Sequence, residues 1–155
     1  MALTDKLEVI KKAKEQASRG TDWNARKEIW LSRYNSLLEE VESHFKPMVE
    51  KGLLSVSRSD YPIDEEEVGR YSAPALKILV GNQEFRIEPM GTLLIGAFGR
   101  VDIRYYNKNE SAMLLLTGDS IASSEWKMLY PRDALGVQPL TMVKIDDLLE
   151  KWLDL

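Results

Sequence analysis

The sequence predicts an α+β fold: two N-terminal helices, the second long, then an antiparallel meander of about five strands and a C-terminal helix. Three observations carry this. Apolar residues recur at three- and four-residue steps through the first third of the chain, the period becomes two from Ala75, and helical spacing returns from Thr141.

Thr4 is a cap for a first helix whose apolar positions are Leu7, Ile10, Ala13 and Ala17, with Lys and Glu on the other face, and Gly20 ends it. Thr21 or Asp22 offers the next cap. The stripe Trp30, Tyr34, Leu37, Leu38, Val41 and Phe45 then holds helical spacing over many turns. Pro47 is expected to stop or kink that helix, because it lacks an amide donor and crowds the preceding turn. Residues 53–74 show no sustained period and include the acidic run Asp64-Glu65-Glu66-Glu67, which reads as a long connection.

From Ala75, Leu76, Ile78 and Val80 alternate with their neighbours, and Gly81-Asn82 turns the chain into Phe85 and Ile87. Thr92 to Tyr106 reads as one glycine-bent strand. Asn107-Lys108-Asn109 closes a hairpin into 112–117, a strand with apolar residues on both faces, as expected where both sides are covered. Trp126, Met128 and Tyr130 mark a last strand ended by Pro131. Met142, Ile145, Leu148, Leu149 and Trp152 form the closing helix. At 155 residues these parts make one expected domain, 1–155: a helical hairpin (1–52), a connecting loop (53–74), a sheet (75–131) and a C-terminal helix (141–155).

Composition removes several classes of function. Without cysteine there is no disulfide framework, thiolate metal site or thiol nucleophile. The first residues lack an apolar signal core and no apolar run reaches the roughly 18 residues of a membrane helix, so a cytoplasmic location without a membrane partner is expected. With 21 basic and 25 acidic residues the net charge is -4, which offers no long-range attraction to nucleic acid.

Four groupings could carry function. The first is the polar side of the sheet: Glu84, Arg86 and Glu88, then Arg100, Asp102 and Arg104, then Glu125 and Lys127. The plain explanation is a solvated face laced by cross-strand ion pairs; the functional one is a partner surface. A narrower version makes Asp102, Glu125 and Lys127 a phosphodiesterase site, with two carboxylates holding a divalent cation and the lysine stabilising developing charge. Against it, 12 lysines and an acidic fraction of 25 in 155 give about two acidic-any-Lys triplets by chance, and there is one.

The second grouping, Gly91, Gly96 and Gly99, runs on into a strand, so bends that let the sheet coil explain it better than a phosphate loop. Third, His44 is the only histidine and is expected to sit near a helix end, interacting with the dipole. Fourth, Trp23, Trp30 and Tyr34 give the long helix more aromatic surface than covering a sheet requires; core packing is the plain explanation, and docking of a partner or second chain the functional one. A small-molecule pocket near Tyr105, Trp126 and Tyr130 is a further option resting only on where pockets usually occur.

The expectation is therefore a non-enzymatic cytoplasmic protein-interaction or regulatory module, with Arg86, Arg100, Arg104, Trp30 and Tyr34 as partner-binding residues. The expected partner is a protein, with no cofactor and no metal, and a homo-oligomer through the long helix is left open. The alternative is a metal-dependent phosphodiesterase or nuclease using Asp102, Glu125 and Lys127.

Overall fold

A computed structural model describes residues 2–19, 22–92, 97–130 and 137–155, without the side chains of 12–19. Helices α1 (Leu3–Arg19) and α2 (Trp23–Glu50) precede seven strands: β1 (Ser55–Glu65), β2 (Gly69–Val80), β3 (Gln83–Gly91), β4 (Gly99–Tyr105), β5 (Glu110–Thr117), β6 (Glu125–Leu129) and β7 (Val137–Pro139). Helix α3 (Met142–Leu153) follows. All seven strands form one antiparallel sheet in sequence order, so every strand pairs with its neighbour in the chain. The architecture is the α+β meander expected, with two strands more than expected.

Helix α2 starts where Asp22 accepts a hydrogen bond from the Ala25 amide at 3.0 Å. Its stripe Trp30, Tyr34, Leu37, Leu38, Val41 and Phe45 is buried against the sheet, each side chain contributing roughly 1.5–3 kcal/mol of burial. Pro47 does not stop the helix, which runs on to Glu50. Falling in the last turn, it removes a single intrahelical bond, and its own carbonyl still accepts from Lys51. Polar contacts pin α2 along its length: Tyr34 donates to the Pro74 carbonyl at 2.5 Å, Arg33 donates to the Ser124 carbonyl, and Arg58 pairs with Glu42.

Helix α3 closes the same side of the sheet. Thr141 caps it, accepting from Lys144 N at 3.2 Å, and Ile145, Leu148, Leu149 and Trp152 enter the core. Trp152 stacks on Phe85 and Tyr105 and donates to the Tyr130 hydroxyl at 3.2 Å. His44 pairs with Asp146 of α3 at 2.8 Å rather than serving the end of its own helix, and so ties α2 to α3. No helix among the described residues is long and apolar enough to cross a membrane.

Residues 53–74 are not a connection. They supply β1 and the first half of β2, an 11-pair ribbon from Ser55↔Leu79 to Glu65↔Gly69. The side facing α2 changes along it. Val56 packs on the core and Arg58 reaches Glu42 at one end, whereas beyond Asp60↔Pro74 the inward residues are Tyr61, Ile63, Tyr71 and Ala73. The register is unbroken, so the ribbon coils sharply instead of bulging.

Over its described side chains the first helix does not pack as the expected hairpin would. Every described side chain from Ala2 to Lys11 is exposed, so Leu3, Leu7 and Ile10 of α1 pack on neither α2 nor the sheet. The single strand expected over Thr92 to Tyr106 is shorter, Gly99–Tyr105, and 93–96, with Gly96, lie outside the described residues.

Two glycines act by close approach. A Cβ at Gly99 would stand 2.4 Å from the Trp30 ring, and one at Gly91 would stand 2.5 Å from a Glu65 carboxylate oxygen. Gly91 also follows a register shift between β3 and β4, the local bend expected of this glycine-rich stretch.

Candidate functional site: the outer face of the sheet

Alternation puts Phe85, Ile87, Val101, Ile103, Ala112, Leu114 and Leu116 on the core side and their neighbours on the other. Registers fix rows across that outer face. Lys77, Arg86 and Arg104 stand directly opposite one another on β2, β3 and β4. The next row joins Glu88, Asp102, Met113 and Leu129, and a third joins Arg100, Leu115 and Lys127.

Three cations in adjacent cross-strand positions repel, and such placements ordinarily destabilise a sheet by a few tenths of a kcal/mol or more per pair. Carboxylates in the flanking rows offset this. Glu84 pairs with Arg86 at 2.8 Å and Lys77 at 3.5 Å, Glu88 with Arg104 at 3.4 Å, and Asp102 takes Arg100 bidentately at 2.8 and 3.1 Å. Tyr106 donates to Glu88 at 2.8 Å and lies under both guanidinium groups, 4.7 Å from Arg86 and 5.5 Å from Arg104.

The two signs differ in exposure. On β2–β4 the Lys77, Arg86, Arg100 and Arg104 side chains are 37–44% exposed, while those of Glu84, Glu88 and Asp102 are 23%, 3% and 12% exposed. Across β2–β4 the more exposed charge is therefore cationic, whereas on β6 the order reverses, Glu125 being 76% and Lys127 27% exposed. The side-chain hydrogen bond to Asp102 raises the Arg100 pKa. Burial works against the Arg104 charge, but Glu88 and its neighbours outweigh it and the pKa rises. Burial, then the hydrogen bond to Glu88, raises that of Tyr106. The Arg100 and Arg104 guanidinium groups therefore stay charged across the accessible pH range.

Beside the cationic rows lie Met113 and Leu115 of β5 and Leu129 of β6. They are partly exposed and belong neither to the core cluster nor to the side chains packed on it. The second side of β5, expected to be covered, therefore has no helix over it among the described residues: α2 and α3 pack on the opposite side and α1 exposes its described side chains.

The other expected sites fare differently. Trp30 and Tyr34 are fully buried, stacked on each other at 5.5 Å, so neither offers a surface to a partner; burial raises the Tyr34 pKa. Through its middle the exposed side of α2 is polar, with Ser32, Ser36, Glu39, Glu40 and Ser43.

Asp102 and Glu125 are not brought together. They lie two strands apart, about 10 Å, and four residues out of register, about 13 Å more along the strands. A shared divalent cation needs both carboxylates within about 2.6 Å of it. Arg100 occupies Asp102, Glu125 pairs with Lys127 at 3.3 Å, and the described residues contain no group of three carboxylate or histidine ligands that could hold a metal. Tyr105 stacks on Phe85 and Trp126 packs against Trp30, and Trp126 and Tyr130 line two separate clefts. A cleft beside Tyr130, lined by Lys144, Asp147 and Lys151, has 220 Å³, below the roughly 300 Å³ of small ligand sites.

A second polar cluster was invisible in the sequence. Glu65 accepts from the Thr92 amide at 2.7 Å and the Tyr71 hydroxyl at 2.5 Å, and Arg26 donates to the Thr92 hydroxyl at 2.9 Å and the Thr92 carbonyl at 2.5 Å. Burial lowers the Arg26 pKa, while burial and the Glu65 hydrogen bond raise that of Tyr71. Its members bond one another, which makes it a latch between the start of α2 and the β3 bend. Comparison with protein-family models, curated proteins and solved structures finds no match to this chain.

Proposed function

We propose that this chain is a non-enzymatic cytoplasmic interaction module that engages another protein through the outer face of β2–β6. One observation carries this: exposed arginines and Tyr106 stand above nearly buried carboxylates and beside a partly exposed strip of Met113, Leu115 and Leu129 that no described helix covers. Arginine, tyrosine and methionine are the residues that interfaces favour, and acidic ones are depleted there. A face needed only for solubility has no use for partly exposed leucines, nor for three cations in one row. A cysteine-free chain needs no oxidising compartment.

The test is a photo-crosslinking residue placed at Met113, with a control at exposed Ser43 of α2. A discrete adduct from Met113 that disappears in the Arg86→Gln, Arg104→Gln background is expected, with none from Ser43. Equal or absent labelling at the two positions would refute the assignment of this face. The phosphodiesterase alternative has no geometry to support it.

A further inference from the structure

Beyond the outer face, we infer that the chain takes up an extended peptide as an additional strand beside β1, in the groove between β1 and α2. The direction of the backbone groups points to it. Gly81-Asn82 is a two-residue turn, so Val80↔Gln83 is a hydrogen-bonded pair, and even-numbered residues of β2 turn their amide and carbonyl groups toward β3. Val56↔Ile78, Arg58↔Leu76 and Asp60↔Pro74 are then non-hydrogen-bonded pairs, in which the β1 residues direct both groups away from the sheet. The bond from Tyr34 to the Pro74 carbonyl, on the side of β2 away from β1, agrees. No strand lies beyond β1 among the described residues. Donors and acceptors repeating about 7 Å apart along one line match an extended chain and not a helix.

Sheet edges are ordinarily blunted by brevity, proline or charge. Strand β7 has only three residues, contains Pro139 and gives that proline's carbonyl to the Lys144 ammonium at 2.6 Å. On β1, Asp60, Pro62 and Asp64 guard the far half, but Ser55 to Ser59 holds no proline and its one charge, Arg58, is folded back onto Glu42. Beside this unguarded stretch α2 raises a wall: Glu42, Ser43, Lys46 and Val49 line a 270 Å³ cleft with Val56. A strand added about 4.8 Å from β1 sets the side chain opposite Val56 over that cleft, between Val56 and the exposed Val49. The occupant is therefore a β-forming segment with an aliphatic residue at that position, bound through its main chain. A second copy does not supply it. Twofold pairing of β1 with itself, centred anywhere from Ser57 to Asp60, brings Arg58, Asp60, Pro62 or Asp64 opposite Val56, and each is either charged or without an amide.

The experiment uses the full chain and a short fluorescein-labelled peptide of alternating valine and threonine, kept soluble by terminal lysines and followed by anisotropy. With valine opposite Val56, the valine amides face β1 and the threonine amides face away, so peptides N-methylated on one set or the other are the comparisons. Expected is saturable binding that survives N-methylation of the threonines and is lost on N-methylation of the valines. Arg58→Pro removes an outward amide without breaking a bond to β2, and weakens binding about tenfold or more. Arg58→Ala gives up the same ion pair and binds as the parent does. In hydrogen exchange the amides of Val56, Arg58 and Asp60 gain protection with the peptide, while those of Ser57 and Ser59, already turned to β2, do not change. Thermal melts establish that each variant is folded.

No saturable binding, equal binding of the two N-methylated peptides, or unchanged exchange at the three outward amides would overturn the inference, whether or not Arg58→Pro folds. Protection of those amides in the chain alone, rising with its concentration together with a doubled mass in sedimentation, assigns the edge to a second copy and overturns it too. Crosslinking from Met113 reads the outer face separately, so either surface can fail without the other.

Discussion

Gly99→Ala isolates the closest approach in the core. The added Cβ would sit 2.4 Å from two carbons of the Trp30 ring, a distance real contacts do not show. Trp30 is fully buried and stacked on Tyr34 with Trp126 beyond, so the ring cannot swing to solvent. Relief must come from displacing β4 or the ring, and overpacking of this kind costs about 1–3 kcal/mol. At 155 residues that lowers Tm by roughly 2–12 °C. The assay is thermal unfolding followed by tryptophan fluorescence and near-UV circular dichroism. Trp30→Leu serves as the second leg of a double-mutant cycle. With the large ring gone, Gly99→Ala becomes nearly neutral, giving a coupling energy close to the whole single-mutant penalty. Gly81→Ala separates sterics from backbone conformation: Gly81 has φ of 61° and nothing near its Cβ position, so its cost of about 1–2 kcal/mol is independent of Trp30. An unchanged Tm for Gly99→Ala, or an equal loss with and without Trp30, would refute the packing assigned to this helix–strand contact.

Glu65→Gln leaves one of the two donors named above, Tyr71 or the Thr92 amide, facing an amide NH2, and an expected loss of about 1–3 kcal/mol would show as a lower denaturation midpoint. Arg104→Ala leaves Glu88 with Tyr106 alone among its partners named above, and a similar loss is expected, absent in an Arg104→Ala, Glu88→Gln double variant. The phenol of Tyr34 has its pKa raised by burial, so above pH 10 the unfolded chain gives up a proton that the folded chain keeps. Stability is therefore full below that pH and falls above it by up to about 1.4 kcal/mol per pH unit from this group, a slope that Tyr34→Phe should flatten in alkaline denaturation curves.

Much of the fold was legible where burial is one-sided and the period regular. The α2 stripe and the alternation of β3, β4 and β6 are such cases, each facing a single core. The β1–β2 ribbon hid because its inward side changes across Asp60↔Pro74; a strand that coils through a face change carries no alternation for a periodicity test to find. Three-residue β7 offers too few positions to read. Pro47 misled because the cost of proline depends on how many turns remain beyond it. The arginines of the outer face could be named from sequence, since they alternate with core residues. Lys77 and Tyr106 could not be attached to them without registers. The apolar pattern of β5 correctly announced two apolar sides, but whether a helix lies over the second is a property of the whole molecule. Trp30 and Tyr34 look like an excess of aromatic surface until the sheet is seen to wrap around them, and the separation of Asp102 from Glu125 needs both the strand count between them and the register.

The position of α2 ahead of the sheet that buries it has a consequence for synthesis. Its stripe from Trp30 to Phe45 leaves the ribosome well before β6 and α3 exist, and Trp152 lies about 100 residues later. At typical elongation rates of 5–20 residues per second, six large apolar side chains wait about 5–20 s for their complement. Neighbouring strands can zip as hairpins within microseconds of emerging, so the meander has local work to do meanwhile. The helix does not. The nascent chain is thus most prone to aggregation through the segment that becomes least accessible in the finished molecule, and a chaperone that holds it would act on α2 before the outer face has formed.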